Sequence, residues 1–160
     1  YVAQRLPALD VDPILIEQVL MNLLKNAAEA IDSATPPLPV SRRNIELRVV
    51  PRHTPEEGGV IEFSVTDRGP GVREDVLARL YEAFFSTKAE GLGIGLALCR
   101  SIVESHRGRM KAQNLYNGSS IVGCRFSFTL PVELPARSHA DTGPVPLEAA
   151  SITNPTAITE

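Results

Sequence analysis

Glu90-Gly91-Leu92-Gly93-Ile94-Gly95-Leu96 runs without a break into Ala97-Leu98-Cys99-Arg100-Ser101-Ile102-Val103. Glycines at every second position free the backbone for positive φ and remove the Cβ that would hold a ligand away. The run behind them is apolar at helical spacing, so a glycine loop opens a helix here. Such a junction presents N–H groups and the positive end of a helix dipole, which suits an anion and most often a phosphate. A plain turn would give the same pattern in this stretch alone. The rest of the chain separates the two readings.

A chain of 160 residues is long enough for one domain with a substantial core and too short for two. Hydrophobic residues make up 43% and charged residues 22%, the balance of a soluble globular protein. Aromatic residues are 5% with no Trp, which leaves too little for a stacking platform on single-stranded nucleic acid. A net charge of −3 without a basic stripe excludes nucleic acid and anionic membrane as expected partners. Cys99 and Cys124 form no C-x-x-C motif and read as buried, reduced thiols, as in a cytoplasmic domain. No apolar run has the length of a membrane span, and no signal peptide opens the chain. The start at Tyr1-Val2-Ala3-Gln4 reads as the edge of a fragment cut from a longer protein.

Upstream of the glycine loop, Tyr1 to Leu6 reads as the end of a strand that Pro7 stops. Asp12-Pro13 has the form of an N-cap followed by proline at the first helical position. A helix to about Ile31 follows, with Ile16, Val19, Leu20, Leu23, Leu24, Ala27, Ala30 and Ile31 on one wide apolar face. Gln18, Asn22, Asn26 and Glu29 lie opposite. At about 100° per residue, Asn22, Asn26 and Glu29 fall within about 60° of one another. A solvated face is one reading of that stripe. Asn is a mediocre helix former, however, and an ordinary surface would carry Lys, Glu or Arg instead.

Ser33 to Arg43 is proline-rich and reads as a loop. Asn44–Val50 and Val60–Thr66 alternate polar and apolar residues, and the turn region Thr54 to Gly59 joins them into a hairpin. The second strand ends at Asp67-Arg68-Gly69-Pro70-Gly71. This is a stiff loop that lets a flat ligand approach the backbone, or else a tight turn in which Asp bonds its own backbone. Arg73 to Leu80 reads as a short amphipathic helix, and Tyr81 to Lys88 brings Phe84, Phe85, Ser86, Thr87 and Lys88 just ahead of the glycines. The segment from Phe84 to Gly91 is expected to be mobile until phosphates recruit it. The helix after the glycines runs to about His106 and is ended by Gly108. Arg109–Tyr116 and Ile121–Leu130 are two further strands around an Asn117-Gly118 turn. From Pro131 onward the pattern is lost, and residues 132–160 read as a disordered tail.

Taken in order, these stretches resemble the catalytic and ATP-binding domain of bacterial sensor histidine kinases, in the superfamily that also holds gyrase, Hsp90 and MutL. Asn22-Leu23-Leu24-Lys25-Asn26-Ala27 resembles the N box, Asp67-Arg68-Gly69-Pro70-Gly71 the first glycine box D-x-G-x-G, and Tyr81 to Lys88 the F box. Gly91 to Leu96 resembles the second glycine box, and Gly123-Cys124-Arg125-Phe126 a degenerate third. Each motif is weak alone; their joint order and spacing over residues 1–131 are specific. The resemblance implies an α+β two-layer sandwich, the Bergerat ATP-binding fold, with a mixed sheet of about five strands and three helices on one face.

It also implies ATP and Mg²⁺. By resemblance, Asn26 gives its side-chain oxygen to Mg²⁺, which prefers hard oxygen ligands. Asp67 accepts a hydrogen bond from the adenine amino group, while Gly69 and Gly71 let the purine lie close. Gly91, Gly93 and Gly95 turn N–H groups to the phosphates, and Lys88 reaches the γ-phosphate. The expected catalytic set is Asn22, Asn26 and Lys88. Phe85, Thr87, Leu92, Ile94 and Leu96 complete the expected nucleotide contacts. The implied activity is transfer of the ATP γ-phosphoryl group to a histidine on a separate dimerisation and phosphotransfer domain. The implied partners are that domain, a response regulator and a second copy of a homodimeric parent. The domain itself is expected to be cytoplasmic, with a parent either soluble or attached to the inner membrane.

Four departures from the family pattern stand out. The lid between Lys88 and Gly91 is very short, His106-Arg107-Gly108 replaces His-Gly-Gly, and Cys124 stands where a small hydroxyl residue is usual. None of His53, His106 and His139 sits in an acceptor context. Two other functions compete. A gyrase- or Hsp90-type ATPase carries Glu one turn before the metal-binding Asn, where this chain has Asn22. A nucleotide-sensing module without transfer activity would not need every box intact. A dinucleotide fold needs a strand directly before the glycines, and Walker G-x-x-x-x-G-K-[ST] is absent.

Overall fold

The computed structural model describes residues 1–56, 58–82 and 93–132. The tail expected over 132–160 lies, from residue 133 on, outside the described residues, as does most of the F box and lid.

Asp12 caps helix α1 (Pro13–Asp32) as its sequence requires: its side chain accepts from the N–H groups of Ile14 and Leu15 at 2.9 and 3.3 Å. The helix buries Ile16, Val19, Leu23, Ala27 and Ile31, all from the expected apolar face. Strands β1 (Glu46–Thr54) and β2 (Gly58–Thr66) form the expected hairpin, in register from Glu46 opposite Thr66 to Thr54 opposite Gly58. β3 (Arg109–Asn117) and β4 (Ser120–Pro131) form a second, turning at Gly118 with φ +61°. β2 joins β4, giving an antiparallel sheet of order β1-β2-β4-β3.

The described sheet therefore has four strands, not the expected mixed set of about five. The missing strand is Tyr1–Leu6. Only Val2 bridges to β1, opposite Val49 in parallel, and Arg5 then adopts φ +63°, which turns the chain away before a ladder can extend. The expected helix over Arg73–Leu80 contracts to α2 (Glu74–Leu77). Its cap residue Arg73 offers no acceptor, and the Asp75 carboxylate is held by the Arg73 guanidinium at 2.7 Å.

α3 (Gly95–Ser105) packs beside α1 on one sheet face, burying Cys99, Ile102 and Val103 against Val65, Phe126, Phe128 and Leu130. Phe63 and Phe128, directly paired across strands, stack at 4.7 Å between centroids. The opposite face is polar, with Arg52–Glu62 and Arg48–Glu46 ion pairs and Arg125 Nε donating to Thr66 Oγ1.

The end of α3 corrects one expectation. The left-handed residue that stops the helix is Arg107, φ +60°, and not Gly108. Gly108 is glycine because a Cβ there would collide with the Thr129 carbonyl oxygen of β4. His106 ties the two helices together. Its Nε2 accepts the Asp12 N–H at 3.1 Å, and its Nδ1 lies 2.8 Å from the Ile102 carbonyl, which can only accept. The ring bridges the start of α1 and the end of α3.

Candidate functional site

Helix α1 is the spine of the site. Near its middle, Asn22 stands against the first residue of α3: a Cβ on Gly95 would lie 2.7 Å from Asn22 Nδ2. One turn on, Asn26 Nδ2 donates to Asn22 Oδ1 at 3.0 Å. That bond orients both amides and turns the Asn26 nitrogen, not its oxygen, toward Asn22. A further turn on, Ala30 lies under the loop after β2, where a Cβ on Gly69 would come 3.0 Å from the Ala30 carbonyl. From Asn22 to Ala30 the helix rises about 12 Å. The polar stripe of α1 thus connects the glycine end of α3 to the Asp67 loop.

Asp67 is 2% exposed at the end of β2. Its Oδ1 accepts the Gly69 N–H at 2.8 Å, and its own N–H donates to the Cys124 carbonyl at 3.0 Å. The turn in which Asp bonds its own backbone is therefore present, and it leaves the second carboxylate oxygen outside that bond. Burial raises the Asp67 carboxyl above its ordinary 3.8, against the lowering effect of hydrogen bonds from the Gly69 and Cys124 backbone. Gly71 has φ +74°, and a Cβ there would meet the Ile121 side chain and lie 2.8 Å from Asn114 Oδ1. Both glycines are sites of close approach, by α1 on one side and the β3–β4 hairpin on the other.

At the other end, Gly93 has φ +67°, Ile94 is the helix cap without a side-chain acceptor, and Gly95 opens α3, with Leu96 half-buried behind it. A helix begun without a side-chain cap keeps its first-turn N–H groups available to an anion. Phe85, Thr87, Lys88, Gly91 and Leu92 lie outside the described residues. Glu29, the third member of the stripe, is ion-paired with Lys25 at 3.8 Å.

Asn114, which the sequence reading did not single out, and Gly123 of the degenerate third glycine box complete the frame. Asn114, 9% exposed, brackets Val72: its Oδ1 accepts the Val72 N–H at 2.8 Å and its Nδ2 donates to the Val72 carbonyl at 2.6 Å. Gly123 allows the Asp67 carbonyl to pass where a Cβ would collide with it. A signal for Asn114 existed, because it continues the parity of Met110 and Ala112 onto the core face, where an amide needs partners. Cys124 and Cys99 are buried thiols pushed up to about 12 and 11, so neither is a nucleophile. Among the described residues no group of three or more His, Cys, Asp or Glu could hold a metal. A cation here would rest on amide oxygen and ligand phosphate, the donor set that suits Mg²⁺. Cavities of about 320 and 610 Å³ lie beside Arg68 and Asn44, and neither is lined by Asn22, Asn26, Asp67 or Gly95.

Residues 11–134 match the family described as histidine kinase-, DNA gyrase B- and HSP90-like ATPase. The chain is 41% identical over 120 residues to the sensor protein FixL of Bradyrhizobium diazoefficiens, covering 75% of this chain and 21% of FixL. It spans about a fifth of the length of the curated relatives it matches. A nucleotide-free catalytic domain of the histidine kinase ThkA superposes with TM-score 0.59 at 28% identity, over 82% of this chain and 76% of that one. Full-length ShkA in complex with AMPPNP superposes with TM-score 0.57 at 26% identity, over 81% of this chain and 24% of that one.

Proposed function

The chain belongs to the histidine kinase-, DNA gyrase B- and HSP90-like ATPase family, and on that premise we propose that it binds Mg-ATP along α1 and donates the γ-phosphoryl group to a histidine of a separate domain. One observation carries this reading: Gly95, Asn22, Asn26 and the Asp67–Gly69 loop are brought together in that order along α1.

Each residue then has a chemical task. The buried Asp67 carboxylate accepts from the adenine amino group; guanine presents a carbonyl there and is disfavoured. Gly69 and Gly71 give the purine its approach. Gly93, Ile94, Gly95 and Leu96 turn the α3 N-terminus to the phosphates, with Gly91, Leu92, Phe85, Thr87 and Lys88 assigned to the same end. Asn26 Oδ1 is the metal-side oxygen, and Asn22 holds its amide in place. Mg²⁺, when bound, would neutralise triphosphate charge. No side chain needs to accept a proton from a nucleophile, because an imidazole nitrogen can attack as it stands. Catalysis then consists of positioning and charge compensation.

The proposed partners follow: a dimerisation and histidine phosphotransfer domain, a response regulator downstream of it, and a second copy of a longer parent. FixL, named a sensor protein, supports that assignment, as the AMPPNP complex of ShkA supports the nucleotide. Among the described residues no helix is long and apolar enough to cross a membrane. We assign the catalytic unit to residues 1–131 and leave 132–160 outside it. The decisive experiment supplies the acceptor domain with radiolabelled ATP. Labelled histidine, dependent on Mg²⁺ and on Asn26, supports the reading; ATP binding without any transfer would make the chain a nucleotide sensor.

A further inference from the structure

We infer that Asn114 is a positioning residue for the base end of the site, holding the Asp67–Val72 loop in register by acting as a two-point backbone substitute for Val72. The inference rests on the assignment of Asp67 to adenine and adds to it the part that fixes where Asp67 and Gly71 stand.

The loop leaves β2 at Asp67 and must span to α2 without a ladder of its own. Its two ends are tied to one hairpin. At the start, the Asp67 N–H donates to the Cys124 carbonyl of β4. At the end, both backbone groups of Val72 are satisfied by the one Asn114 carboxamide, at 2.8 and 2.6 Å. Cys124 and Asn114 are themselves direct partners across β3 and β4, so the two ties spring from a single rung of the sheet. Between them Gly71 sits so close to Asn114 that a Cβ would lie 2.8 Å from its Oδ1. A carboxamide offers one acceptor and a donor group in the spacing of a peptide unit, and no other uncharged side chain but Gln does. The buried amide on the core parity of β3 is thus matched to a backbone segment, where an apolar residue would leave both backbone groups of the half-buried Val72 without this partner. β3 is an edge strand of the described sheet, and Asn114 holds the loop from it.

This role separates from general stability by which ligand suffers. Loosening Val72 displaces Gly71 and Asp67 and leaves the α1–α3 contact at Asn22 and Gly95 untouched. The test titrates the whole chain and its Asn114→Ala and Asn114→Asp variants with Mg-ADP, Mg-GDP and Mg-tripolyphosphate, and follows amide exchange at Val72. Asn114→Ala is expected to weaken ADP about tenfold, to shrink the preference for ADP over GDP, and to leave tripolyphosphate unchanged. Asn114→Asp keeps the acceptor for the Val72 N–H and loses the donor, so it should fall between, and it serves should the alanine variant not fold. Unchanged ADP affinity, or equal loss of ADP and tripolyphosphate, overturns the inference. Should the unmutated chain fail to prefer ADP over GDP, the adenine reading of Asp67 fails first. Exchange at Val72 then still decides: faster in Asn114→Ala supports the tie, unchanged removes it.

Discussion

Asn22 and Gly95 are in contact across the seam of α1 and α3, with only the absent Cβ of Gly95 leaving room for the Asn22 amide. This one relationship joins the N box helix to the glycine loop, and it explains why the third glycine of the loop lies inside the helix it opens.

Gly95→Ala tests it. By helix propensity alone the change should help α3 by up to about 1 kcal/mol. The added Cβ would instead sit 2.7 Å from Asn22 Nδ2, so the amide must move, and Asn26, bonded to it, moves too. The expected outcome is a net loss of about 1–3 kcal/mol in stability and weaker binding of Mg-tripolyphosphate. A variant that melts higher and binds as before would show that the seam yields without cost.

Asp67→Asn should separate stability from binding. Burial raises the Asp67 carboxyl above 3.8, so between that value and the raised one the folded chain holds a proton that the unfolded chain has lost. Stability attributable to Asp67 therefore falls as pH rises through this window, and the ionised form is the less stable one at neutral pH. The substituted amide carries no charge, so the ligand-free variant should melt higher at neutral pH and show a flatter pH dependence in the carboxylate range. Its affinity for ATP should drop by about 1–3 kcal/mol, with less preference over GTP. Calorimetry and thermal melts read both. A lower melting temperature together with intact selectivity would sink the assignment.

Asp12, the apolar stripe of α1 and both hairpins were legible in the sequence because caps, helical spacing and strand alternation are local signals. Val2 misled because an extended start looks like a strand until Arg5 turns it away, and that depends on a single backbone angle. Gly108 misled for a different reason. Its glycine answers to the Thr129 carbonyl, a contact between elements that no reading of the helix end could contain. At the site, Asn22, Asn26, Asp67, Gly69 and Gly71 stood out as residue types in an order, whereas Asn114 carried only the signal of an amide on the core parity of β3, and its partner Val72 became visible only when the sheet brought the two together.

His106 offers a test of the frame alone. Its ring links Asp12, the cap of α1, to Ile102 near the end of α3. His106→Ala leaves the Asp12 N–H without this partner and should cost about 1–2 kcal/mol, a shift of several degrees in melting temperature. Because the bridge lies at the opposite end of α1 from Asn26, nucleotide affinity measured well below the transition should be unaffected. A large loss of affinity would mean that helix docking, and not only stability, depends on the bridge.

On its own the chain should bind ATP yet neither label itself nor hydrolyse it appreciably. Self-labelling requires an imidazole in line with the γ-phosphorus. His106 is bound into the frame at Asp12, about 15 Å along α1 from Asn22. His53 pairs with Gly59 on β1, about 23 Å along the strands from the Thr66 end where Asp67 begins. His139 lies outside the described residues. Hydrolysis requires an oriented water and a group to take its proton. Asn22 can hold a water but accepts no proton, and Glu29 is engaged by Lys25 at 3.8 Å. Activity should appear when the acceptor domain is supplied in the same chain or in trans, and Asn26→Ala should then abolish it, because the metal-side oxygen is gone while α1 still folds. Radiolabel on the acceptor and release of free phosphate are followed together. Vigorous phosphate release by this chain alone, lost in Glu29→Gln, would replace the kinase reading with that of an ATPase.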